Sequence, residues 1–139
     1  MTETNAFRLR VDGNPVSKGS MRAFVPKGWK RAVVTAANPN TKQWEKAIKT
    51  LALEQKPVVT SDEWRVVLRF AMKRPQRLAK ARKHHTTKPD IDKLVRCVLD
   101  ALTGVLWVDD SQVITLRAFK RYAKEDEPPH VDIIAWGAE

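Results

Sequence analysis

Cysteine occurs once in the 139-residue chain, at Cys97. A single thiol excludes an internal disulfide and any multi-cysteine zinc site, and it fits a reducing compartment. Cys97 is expected to be a small buried apolar residue. No stretch approaches the ~20 apolar residues that a membrane span requires, and the chain does not start with a basic segment followed by an apolar run. A soluble, cytoplasmic protein is expected. Acidic residues are also in short supply, with 16 Asp and Glu against 26 Lys and Arg and a formal net charge of +10. That balance suits a polyanion better than an acidic small molecule, because dispersed cations match a long phosphate backbone and each neutralised phosphate releases counterions. A merely soluble basic surface is the plainer alternative.

Several chemistries lack their residues. No GxxxxGK[ST] segment is present to cradle the phosphates of ATP, so no nucleotide cofactor is expected. There is no HExxH zinc motif; His84 and His85 are adjacent, His130 is remote, and all three read as loop residues. Repeats, low-complexity tracts and linkers are absent. Five Trp and four Phe within a 42% apolar composition supply one core, and a chain of this length leaves little room for a second.

Phe7, Leu9 and Val11 alternate with charged residues, which predicts a first strand. Gly13 to Lys30 is punctuated by glycine and proline between Lys18, Arg22, Lys27 and Lys30, a basic loop or loose hairpin, with Arg31 to Thr35 as a short strand. Trp44, Ala47, Ile48, Leu51 and Ala52 recur at helical spacing and predict a helix from Thr41 to Gln55, started by Asn40 or Thr41 and ended by Pro57. Trp64, Val66, Leu68 and Phe70 alternate as a strand with Arg65 and Arg69 on its opposite side. Gln112 to Tyr122 and Val131 to Trp136 read as two further strands around a charged turn.

Between Glu63 and Asp90 there is no acidic residue but nine basic ones: Arg65, Arg69, Lys73, Arg74, Arg77, Lys80, Arg82, Lys83 and Lys88. The part from Lys73 to Lys88 has too few apolar residues to bury, so it reads as a solvated, mobile loop that orders on a nucleic-acid backbone.

The acidic residues that follow are grouped. Ile91, Leu94, Val95, Val98, Leu99 and Leu102 form the apolar stripe of a helix from Asp90 to Thr103, ended by Gly104. Asp92, Arg96 and Asp100 are spaced by four on a polar flank, where Arg96 can pair with either carboxylate. Asp90 suits an N-cap and Asp92 the helix dipole, each stabilising by ~0.5–2 kcal/mol. Capping needs only one of them. Asp90-x-Asp92, with Asp109-Asp110 at the start of the next strand, gives a converging carboxylate set that repels itself unless a hard divalent cation lies between. The segment lacks the third oxygen ligand and the glycine of a calcium loop.

The run KPDIDKLVRCVLDAL, followed by WVDDSQV and by Lys120, resembles the RusA family of Holliday-junction resolvases. Gly13 to Gly19 is similar to that family's early G-x-P-x-x-K-G pattern. The resemblance implies a single α+β domain over residues 1–139, a mixed β-sheet with two main helices, and a homodimer with two active sites. It also implies Mg2+ dependence, with Mn2+ as a substitute, and paired symmetric nicks in four-way DNA junctions. The essential acidic residues correspond to Asp90, Asp92 and Asp110. Lys93 stands where the family commonly has Asn, and Arg96 where it commonly has a catalytic Lys. A guanidinium holds phosphate bidentately but is a poor proton donor, so Arg96 is placed either at the scissile phosphate or as the ion-pair partner of Asp100. Lys18, Arg22, Lys73, Arg74, Arg77, Lys80, Arg82, Lys83, Lys88, Lys93 and Lys120 are the candidate DNA contacts. A nuclease for flaps or other branched DNA, and a non-catalytic DNA-binding protein, are the competing readings. A bacterial, prophage or phage setting suits the chain.

Overall fold

The alternating segments become strands and the periodic ones helices in the computed structural model, which describes residues 6–18, 21–24, 33–36, 40–78 and 82–137. The elements run β1 (Phe7–Asp12), β2 (Met21–Phe24), β3 (Val33–Ala36), α1 (Thr41–Glu54), β4 (Trp64–Met72), α2 (Ile91–Leu102), β5 (Val113–Tyr122) and β6 (His130–Gly137). β2 and β3 pair as an antiparallel hairpin, so the loose-hairpin reading of the early segment holds. β3 is set slightly later than the expected Arg31–Thr35; Arg31 lies outside the described residues.

The main sheet has the order β1-β6-β4-β5, with β4 and β5 parallel and the other neighbours antiparallel. The fold is therefore a single mixed-sheet α+β domain. Alternation decides which face is inner. Val66, Leu68 and Phe70 lie opposite Ala135, Ile133 and Val131, which lie opposite Phe7, Leu9 and Val11. Against that face α1 buries Trp44, Ile48 and Ala52, and α2 buries Leu94, Val95, Val98, Ala101 and Leu102, all in one apolar cluster. Each such side chain contributes ~1.5–3 kcal/mol by leaving water.

The connections are fixed by a few specific contacts. Gly13 has φ 139°, and a Cβ there would meet the Trp44 ring at 2.8 Å, so only glycine serves at the exit of β1. α1 ends at Glu54, one residue before the expected Gln55, and Lys56 takes a left-handed φ of 54°. After α2 the backbone turns at Gly104, φ 84°, and Trp107 packs edge-on against Trp64 with ring centroids 5.8 Å apart. The two indole N–H groups donate to Thr103 and Thr60, so both rings are buried without an unsatisfied donor.

Two expectations are corrected here. His130 is not a loop residue, and His85, which does lie in the loop before α2, is not solvated. His130 opens β6 and is 2% exposed, its ring held between the carbonyl of Pro128 and the carboxylate of Asp132. His85 is buried against Tyr122, ring centroids 4.8 Å apart. The segment around it is not simply solvated either: Tyr122 N donates to Lys83 O at 2.9 Å, and His84 bridges Arg121, which straps residues 83–85 onto the end of β5. The apolar Tyr122 ring supplies the burial that the basic sequence itself lacks.

Candidate active site and nucleic-acid interface

The rotation of α2 is set by its apolar stripe. With Leu94, Val95 and Val98 buried, Asp92 and Arg96 are turned to solvent on one flank. Asp90 occupies the N-cap position with extended backbone, φ −70° and ψ 145°, but its side chain makes no capping hydrogen bond. The capping role proposed for it from sequence is absent. Immediately before it, Lys120 Nζ donates to the carbonyls of Thr87 and Pro89, each at 2.9 Å, and so fixes the approach to Asp90 from β5.

Asp109 and Asp110 do not open a strand; they form a 3-10 turn, Asp110–Gln112, that precedes β5. The physical reason is a capping box. The Asp109 carboxylate accepts from Ser111 N at 3.0 Å, while Gln112 Oε1 accepts from the backbone N–H of Asp109 at 3.0 Å and of Val108 at 2.8 Å. The Gln112 amide donates onward to the carbonyls of Thr60 and Asp62 at 2.9 and 2.8 Å, tying the turn to the entry of β4. Asp109 is consumed by this turn; the backbone hydrogen bond from Ser111 holds its carboxyl below the usual range. The Asp110 carboxyl lies beside that of Asp109, the two sharing a hydrogen bond, and also lines the cleft next to α2.

Asp110 meets Asp92 and Arg96 across a cleft of about 430 Å3, floored by Ile91, Val95, Leu116 and Ala118. Partial enclosure pushes the Asp110 carboxyl above its ordinary value; proximity to Asp109 and the charge of Asp100 act in the same direction, and Arg96 opposes them. The converging set expected from sequence is smaller in the structure: among the described residues, no three His, Cys, Asp or Glu side chains cluster as a ready-made metal cage. Two carboxylates on one cleft still fit a hydrated Mg2+, which keeps several waters and uses one or two carboxylates together with substrate phosphate.

Asp100 does not pair with Arg96. Its carboxylate lies 3.2 Å from Lys18 Nζ, which also donates to Glu45 at 2.7 Å. The ammonium thereby links the early segment to α1 and α2, and its hydrogen bond to Glu45 raises its pKa, with Asp100 adding to the effect. Lys18 N also donates to the carbonyl of Lys93 at 3.0 Å. Arg96 has no ion pair among the described residues. Cys97 lies beneath, fully buried as expected, and burial pushes its thiol up to about 12.

The remaining candidate DNA contacts are dispersed. Lys73, Arg77, Lys83 and Lys88 are exposed between β4 and α2. Arg74 stacks over Tyr122 at 6.0 Å and donates to the carbonyl of Arg82 at 2.8 Å, shaping a basic cleft of about 620 Å3 with Lys83, Arg121 and Lys124. Arg82 is exposed, and Lys93 is half-buried on α2. Arg22 lies on β2 with its side chain outside the described residues, as is Lys80 altogether.

Comparison with known proteins matches residues 12–134 to the family described as endodeoxyribonuclease RusA. The chain belongs to the RusA endodeoxyribonuclease family. It is accordingly a hydrolase of DNA phosphodiester bonds, in a family of junction-resolving, divalent-metal-dependent nucleases. The chain is also 27% identical over 142 residues to the Bacillus subtilis (strain 168) protein named Uncharacterized protein YqaN, covering 94% of this chain and 95% of that protein. No described helix of this RusA-family chain is long and apolar enough to cross a membrane.

One residue of the site was missed in the sequence. Gln112 sets the position of Asp110, and the D-x-x-Q spacing from Asp109 carries the capping-box signal. The ammonium of Lys18, a candidate DNA contact, is engaged by Glu45 and Asp100 in this structure, and nothing in the local sequence links it to partners so distant along the chain.

Proposed function

We propose that this protein resolves four-way DNA junctions by paired symmetric nicks with Mg2+, or Mn2+ in its place, acting as a homodimer on cytoplasmic DNA. The observation that carries the reading is the shared cleft of Asp92, Asp110 and Arg96, with uncapped Asp90 at the adjoining helix start. Asp92 and Asp110 would hold the cation, with Asp90 the third carboxylate of the set. A divalent ion there supplies Lewis-acid polarisation of the scissile phosphate and eases deprotonation of water beside it.

The chain's own residues do the rest. Arg96 offsets charge building on the phosphate, and because a guanidinium is a poor proton donor, the proton for the departing 3′ oxygen is left to solvent. The apolar floor of Ile91, Val95, Leu116 and Ala118 offers no competing polar group below the carboxylates, so the cleft's charges are left to the cation and the phosphate. Lys73, Arg74, Arg77, Lys83 and Lys88 draw the junction arms to the cleft by neutralising phosphates. Two copies would bring one cleft to each of two opposed strands.

The test is gel-resolved cleavage of a labelled synthetic four-way junction beside linear duplex and flap controls, with and without Mg2+, for wild type and Asp92→Asn. Paired nicks that require both metal and Asp92 are expected. Preferential cutting of the flap would instead make the protein a branched-DNA nuclease, and tight binding without cutting would remove the catalytic reading.

A further inference from the structure

The sheet has a second face, opposite the helices. Along it the register sets Arg65 between Trp136 and Thr115, Val67 between Ile134 and Arg117, and Arg69 between Asp132 and Phe119. Phe119 is 43% exposed, and the guanidiniums of Arg69 and Arg117 flank its ring at 5.5 and 5.6 Å from the centroid. Both arginines are exposed, and neither pairs with a carboxylate among the described residues. The acidic neighbour in that row, Asp132, is instead 3.2 Å from the ring of His130.

An exposed aromatic ring between two cations is ill suited to a second copy of the same face, because the arginines would repel their equivalents. It is well suited to a nucleic-acid strand, whose bases stack on aromatic rings while its phosphates take the guanidiniums. Location supports the same occupant. A cavity of about 600 Å3 is lined by both Arg69 and Phe119 and by Lys120 and Ile91, and Ile91 also floors the carboxylate cleft. A continuous path therefore runs from the carboxylates past Lys120 to Phe119.

We infer that Arg69, Phe119 and Arg117 form a second DNA-binding site, which stacks an unpaired base on Phe119 and holds the flanking phosphates while the same molecule is engaged at the carboxylate cleft. The inference rests on the proposed junction substrate. At a branch point, stacking is already interrupted, so a base is available there at less cost than in continuous duplex.

The test uses a fluorescein-labelled four-way junction carrying 2-aminopurine beside the branch point, with the Asp92→Asn protein in Mg2+ so that binding is read without cutting. Phe119→Ala is expected to weaken binding about tenfold and to abolish the 2-aminopurine emission change. Phe119→Leu keeps the apolar bulk and should lose the emission change as well. Arg69→Gln with Arg117→Gln should lower the slope of log affinity against log salt by about two. Unchanged emission and salt slope in all three variants, with the junction still bound, would overturn this inference and leave the nuclease reading intact. A protein that binds no junction would overturn both. Sedimentation velocity supplies the remaining arm: variants that change the assembly state while sparing DNA binding would assign the face to a second copy and overturn the inference.

Discussion

Arg96 stands one helical turn beyond Asp92 and lines the same cleft as Asp110; of the two carboxylates spaced to neutralise it, Asp100 is engaged by Lys18, and Asp92 makes no ion pair with it among the described residues. That arrangement leaves the guanidinium available for phosphate. Arg96→Gln is expected to lower kcat by about 10²–10³ with little change in junction affinity, and Arg96→Lys to retain more activity by restoring a point charge. Single-turnover cleavage beside anisotropy titrations checks the split. Cys97, one residue further along α2, should behave in the opposite sense: with no exposed surface and a thiol pushed up to about 12, it is expected to react with a thiol reagent only as fast as the protein opens. Labelling in native buffer at a rate independent of unfolding would contradict this burial.

The short turn before β5 positions half of the site. Gln112 accepts from two backbone N–H groups and donates to two carbonyls, so Gln112→Ala leaves four backbone groups to find water. The expected loss is about 1–3 kcal/mol of stability, together with a fall in kcat that exceeds any change in KM, because Asp110 shifts while the DNA-binding surface does not. Thermal melts and steady-state cleavage check both parts, and Gln112→Glu, which keeps the acceptor for Val108 and Asp109, should recover part of kcat. At this scale the strands and helices were legible in the sequence because each carries an apolar period that matches its geometry: β4 reads as alternation and α2 as a stripe. Asp92 was legible for the same reason, since a helix face is set by spacing. The turn at Asp109 was not, because a run of acidic residues before an apolar alternation says nothing of which backbone N–H each carboxylate will meet. The pairing of Asp100 with Lys18 was hidden by distance, as local spacing offered Arg96 first.

For the whole molecule, several ionisable groups bound the pH range of greatest stability. His85 is held below its ordinary value of 6.5, chiefly by burial and then by Lys120, so the stability it contributes above pH 6.5 is lost as pH falls below that value. The Arg121 guanidinium holds Glu127 down to about 2, and its contribution, present above the ordinary 4.5, is lost between there and about 2. On the alkaline side, the unfolded thiol of Cys97 ionises near its ordinary 9.0 while the buried one resists to about 12, so stability declines as pH rises above 9.0. Lys18, raised above 10.5, stabilises fully below that value and loses its contribution as pH rises through its folded pKa. Melting temperature is therefore expected to be flat between about pH 6.5 and 9 and to fall on both sides. Cys97→Ala should remove the first part of the alkaline fall, and Glu127→Gln part of the acid fall below pH 4.5; melts across this range check both.

The parallel register of β4 and β5, which joins Trp64 to Val113, also decides when the chain becomes an enzyme. Asp92 and Asp110 are near in sequence, yet the cleft between them closes only after two strands distant along the chain have found each other. Pairings of that kind are entropically late, whereas α2 can form from local contacts alone. In a refolding experiment, helical ellipticity should rise well before nuclease turnover, which makes the first detectable cut a clock for the last major step of folding.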